Sequence, residues 1–107
     1  MTHQQIDQRS LAMARAIVRL IDDDPERRGL EHARATCERW LREHGPDPNV
    51  EEWAALLRQP WAEVRAALLE ESEEGCRRRQ NSPFAGVLPP QQRWAIYRQF
   101  RDEPQAA

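Results

Sequence analysis

An all-α fold, a small bundle of about five helices, is what the sequence predicts, and three observations carry that prediction. Apolar residues recur at steps of three and four over most of the 107 positions. No segment alternates apolar and polar residues as a half-buried strand would, since the one β-like run, Phe84 to Leu88, is broken by Gly86 and bounded by prolines. Proline, glycine and aspartate or asparagine punctuate the chain where short helices would start and stop.

The first helix is placed at residues 4–22, where Ile6, Ser10, Met13, Ile17 and Leu20 repeat, flanked by Leu11, Ala14, Val18 and Ile21. Thr2 and Gln5 have capping-box spacing at its start, and Asp22-Asp23-Asp24 closes the apolar pattern. Asp24, Pro25 and Glu26 then read as a cap, a first-turn proline and an acidic first turn, which opens a second helix over 25–44. Leu30, Ala33, Cys37, Trp40, Leu41 and His44 share one arc of it, and Gly45-Pro46 ends it.

Asn49 is the expected cap of a third helix, 50–58, which carries Val50, Trp53, Leu56 and Leu57, with Glu52 at the capping-box position. Pro60 opens a fourth helix, 60–71, with Trp61, Val64 and Leu68 as its buried row. Past Leu69 the pattern leaves two courses open: the helix frays through Glu70 to Gly75, or a new one restarts at Ser72. Residues 81–90, with three prolines and a glycine, form a non-helical segment, and a last helix runs over 90–101. The length fits one domain on the usual scale of roughly 100–200 residues, with 102–107 expected to be a loose tail.

With 39% apolar residues and four Trp among seven aromatics, the core is thin and depends on its rings. All 16 basic residues are Arg, beside 14 Ala, a usage that points to a GC-rich bacterial source. The start, Met1-Thr2-His3-Gln4-Gln5, has no basic stretch followed by an apolar run, and the two cysteines suit a reducing compartment, so the expected location is the cytoplasm.

No catalytic, metal or cofactor motif emerges. His3, His32, His44, Cys37 and Cys76 lack the paired spacing of a zinc site. Cys37 lies on an apolar helix face, Ser82 lacks a nucleophile-elbow context, and four scattered glycines make no phosphate loop. Trp53 to Leu68 resembles a helix-turn-helix only in its apolar positions, because Pro60 occupies the turn and the second helix runs into Glu70 and Glu71, which phosphates would repel. The expectation is a protein without enzymatic activity.

Charge is what divides the chain. Residues 51–75 carry a net −5 and residues 76–101 a net +6, the latter without one acid. Either the two segments pack together and neutralise each other, or the basic one faces a partner. The second course makes Arg77, Arg78, Arg79, Phe84, Arg93, Trp94, Tyr97 and Arg101 the candidate partner-binding residues, because arginine and aromatic side chains suit contacts with proteins or nucleic acid. The segment 81–90 is either part of that interface or a plug for the end of the bundle. The expected role is that of a regulatory protein of antitoxin, immunity or adaptor type that binds another protein; nucleic-acid binding through the arginines of 77–101 is the alternative. A broad apolar arc on the first helix favours a homodimer.

Overall fold

The computed structural model describes residues 3–101, and of His3 and Arg101 the backbone alone. Thr2, the suggested cap of the first helix, and the tail 102–107 lie outside the described residues. Six α-helices and one 3₁₀ turn follow in order, with no strand among the described residues: α1 His3–Asp22, α2 Arg28–His44, α3 Pro48–Leu56, α4 Trp61–Leu69, α5 Glu73–Gln80, the 3₁₀ turn Ala85–Val87, and α6 Pro90–Arg101.

Helix α1 is the central element. Its apolar side is packed by α4, α5 and α6 and, less extensively, by α2, while α2 and α3 form a second antiparallel layer. Ala14, Ile17, Val18 and Ile21 are buried there. The arc that suggested a dimer is thus largely covered within the chain, and Leu20 is the apolar side chain it leaves exposed.

The turn between α1 and α2 differs from expectation. Helix α2 begins at Arg28 and not at Pro25, because Arg27 adopts the left-handed region with φ 52°. Asp24 still serves the helix start, its carboxylate accepting the backbone N–H of Arg28 at 2.9 Å and of Glu26 at 3.1 Å. The Arg27 side chain turns back to the end of α1, donating to the Ile21 carbonyl at 2.8 Å, which also accepts the Asp24 N–H, and to the Asp22 carbonyl at 3.3 Å. Gly45, at φ 78°, ends α2 as the sequence predicted.

The third helix starts two residues before its predicted position. Asp47, not Asn49, is the cap, accepting from the Asn49 N–H at 2.9 Å, with Pro48 in the first turn. Glu52 has a different task, described below. Helices α3 and α4 meet at the bend before Pro60, and α4 ends at Leu69 rather than 71 because Glu70 turns extended.

The restart at Ser72 is the course the chain takes. The Ser72 hydroxyl accepts from the Gly75 N–H at 3.1 Å and caps a separate α5. Only glycine fits at 75: a Cβ there would lie 2.0 Å from the Glu70 carbonyl oxygen. Helix α5 thereby folds back across the end of α4.

Residues 81–88 are a core element. Pro83, Phe84 and Leu88 are fully buried, and the Phe84 ring meets Trp53 edge-to-face, centroids 5.7 Å apart. The Trp53 indole N–H, deep in the core, donates to the Arg78 carbonyl at 2.8 Å and leaves no orphaned donor.

Candidate functional site

The structure separates the eight predicted site residues into two groups. The arginine triplet is taken up by contacts within the chain. Arg77 donates to Glu52 at 2.9 Å and to Glu74 at 2.8 Å, with Asn49 as a third partner. These hydrogen bonds, that to Glu74 first and those to Glu52 next, push the Arg77 pKa further above its usual range. Arg77 also holds the Glu74 carboxyl below its ordinary value. Arg78 reaches Glu52 at 3.1 Å and Glu70 at 3.6 Å. Glu52, Glu70 and Glu74 of the acidic stretch therefore neutralise Arg77 and Arg78, the first two arginines of the basic one.

Arg79 is buried, 7% exposed, and links three helices. It donates to the Ser10 hydroxyl of α1 at 3.1 Å, to the Leu68 carbonyl at the end of α4 at 3.1 Å, and to the Glu70 carbonyl. Its Nη2 also lies 3.3 Å from the Cys76 sulfur. Phe84, buried against Trp53, is likewise no surface residue. The expectation that Arg79 and Phe84 meet a partner is thus corrected, because both are consumed by packing.

The second group lies on α6. Ile96 faces the core, Arg93 beside it is half-buried with its Nε out of solvent, and Tyr97 and Trp94 follow around the helix toward solvent. Trp94 is 59% exposed, although its indole is the largest apolar side chain in the alphabet. It stands edge-to-face on Tyr97 with centroids 6.0 Å apart. Arg9 of α1 lies over the other side of Tyr97, its guanidinium carbon 5.2 Å from the ring centroid. The Arg101 side chain lies outside the described residues.

Beside this aromatic pair, α1, α5, the 3₁₀ turn and α6 enclose a groove of about 420 Å³. Ile6, Met13, Ile17, Leu68 and Tyr97 form its apolar wall, and Arg9, Ser10, Arg79, Gln80 and Ser82 line its polar side. The α1 residues were missed in the sequence. Arg9 sits on the flank of an otherwise apolar arc, next to Ile6 and Met13 in helical spacing, and that displaced charge was the available signal.

The chemistry of the remaining candidates is quiet. Among the described residues no group of three metal-ligating side chains converges. His44 is exposed at the end of α2, not part of its buried arc. Cys37 is buried, and desolvation pushes its thiol up from 9.0 to about 11, so it stays protonated and a poor nucleophile near neutral pH. The raised value favours the neutral thiol in the folded state. Its stabilising contribution is complete below pH 9 and is lost as pH rises from 9 toward about 11. In Cys37→Ala that alkaline decline in the urea midpoint is expected to shrink, and at pH 8 a thiol reagent should modify half-buried Cys76 well before Cys37.

No helix among the described residues is long and apolar enough to cross a membrane. No protein-family model, curated protein or solved structure matches the chain.

Proposed function

We propose that this chain is a non-enzymatic interaction protein that binds another protein through the outer face of α6 and the adjoining edge of α1. The observation that carries this reading is Trp94, more than half exposed yet held in place by Tyr97, which is itself stacked against Arg9. Tryptophan, tyrosine and arginine are the residues in which binding energy concentrates at interfaces, and a pre-ordered aromatic pair loses little entropy on docking. A regulatory role of antitoxin, immunity or adaptor type in a bacterial cell is in keeping with the arginine-only basic composition.

A protein partner is favoured over nucleic acid. Arg77 and Arg78 are spent on Glu52, Glu70 and Glu74, and Arg79 lies below the surface, so half of the six arginines in 76–101 are not offered to the extended backbone of a nucleic acid. Cutting the chain after Gly75 is no test of the interface, because it would remove Phe84 and Leu88 from the core. Point substitutions are. Affinity capture from the native host with wild type and with the Trp94→Ala/Tyr97→Ala double variant is the experiment. Wild type is expected to retain a stoichiometric protein, and the variant, with unchanged circular dichroism, to lose it by about tenfold or more. Equal recovery by both, or no partner with wild type, would count against the proposal.

A further inference from the structure

Arg79 is a buried cation with no matching anion. Its neighbours Arg77 and Arg78 are ion-paired, whereas Arg79 meets only neutral acceptors among the described residues: the Ser10 hydroxyl, two carbonyls and the Cys76 sulfur. The two carbonyls lie at the C-terminal end of α4, where the helix dipole supplies about half a negative charge. The site is 93% removed from solvent, and four of the five guanidinium N–H groups are engaged by these neutral acceptors.

Arg79 also lines the groove of about 420 Å³ between α1, α5, the 3₁₀ turn and α6. That size falls in the range of small-molecule sites, roughly 300–1,000 Å³, and the wall of Ile6, Met13, Ile17 and Leu68 is apolar. A polar ligand would leave that wall uncovered, and a purely apolar one would leave the charge unanswered. An anionic head on an apolar tail meets both requirements. A carboxylate accepts a charge-assisted hydrogen bond from a guanidinium N–H.

We propose that this groove binds an amphipathic monocarboxylate, in chemical class a medium-chain fatty acid, whose carboxylate neutralises Arg79 and whose chain covers Ile6, Met13 and Tyr97. The groove adjoins the proposed protein interface, since Arg9 and Tyr97 line it and Trp94 does not, but a small ligand titrated onto the chain by itself needs no protein partner. The ligand alone therefore tests it.

The experiment is calorimetric titration of the full chain at pH 8 with decanoate, below the concentration at which decanoate self-associates. Saturable binding at one site is expected, with decan-1-ol about tenfold weaker or worse, since the alcohol keeps the tail and loses the charge. Ala85→Trp, on the exposed 3₁₀ turn that borders the groove, fills the space with an indole and should weaken decanoate binding by a similar factor while helical content is unchanged. Arg79→Gln should do the same, but Arg79 also joins three helices, so that variant is judged only where its circular dichroism matches wild type. The alcohol comparison and A85W decide otherwise. Absence of saturable decanoate binding, decan-1-ol binding comparable to decanoate, or undiminished binding to A85W overturns the assignment.

Discussion

Phe84→Ala is expected to lower the unfolding free energy by about 3–5 kcal/mol, the cost of deleting a buried aromatic ring and leaving its cavity. A domain of this length has about 5–15 kcal/mol in total, so the variant would lie close to its unfolding threshold. The reason is local. Phe84 is fully buried in the Pro-rich segment and closes edge-to-face on Trp53, whose indole N–H is fixed by the Arg78 carbonyl. Removing the ring unseats Trp53 as well, and about 0.5–1.5 kcal/mol of aromatic geometry is lost beyond the buried area. Urea denaturation followed by tryptophan fluorescence measures the change. A loss below about 1 kcal/mol would show that residues 81–88 do not plug the core.

Gly75→Ala is the second large effect, and its sign is the informative part. In an exposed helix this exchange adds about 1 kcal/mol of stability through helix propensity. Here the added Cβ would sit 2.0 Å from the Glu70 carbonyl oxygen and 2.7 Å from its carbon. Those are backbone atoms that no rotamer change can move aside. The same carbonyl accepts from Arg79, so shifting it also disturbs the contact that joins α5 to α4. A net destabilisation of about 1–3 kcal/mol or more is expected, with the midpoint of urea unfolding as the readout. Stabilisation by the alanine would mean that the chain between α4 and α5 is free to move away.

The helices were legible because their apolar spacing survives packing. Ile17, Ile21, Trp53, Val64 and Leu68 all read as buried and are. Helix starts were less legible, since several residues compete for each. Asp47 and Asn49 are both capping types two positions apart, and Pro48 decides for the former by fitting the first turn. Asp24 and Pro25 look like an N-terminus, yet the chain takes one further turn because Arg27 can enter the left-handed region and bond back to α1.

The candidate site was legible only on α6. Trp94 and Tyr97 stand out as aromatics among arginines on one helix, which is a local signal. The triplet Arg77-Arg78-Arg79 has the same local appearance, but its fate depends on Glu52, twenty-five positions upstream of Arg77, and on Ser10, sixty-nine upstream of Arg79. A net charge of +6 over a segment says nothing about which acids the fold brings beside it. The Arg79 side of the groove and the whole α1 side were hidden for that reason.

The bond from Arg79 to Ser10 also bears on how the core closes. Its two ends lie sixty-nine positions apart, and Leu68, Phe84 and Leu88, which pack in the same core as Ile17 and Ile21, are comparably remote in sequence. The cover of α1 is therefore complete only after long loops have closed, a topology that folds more slowly than a bundle built from neighbouring contacts alone.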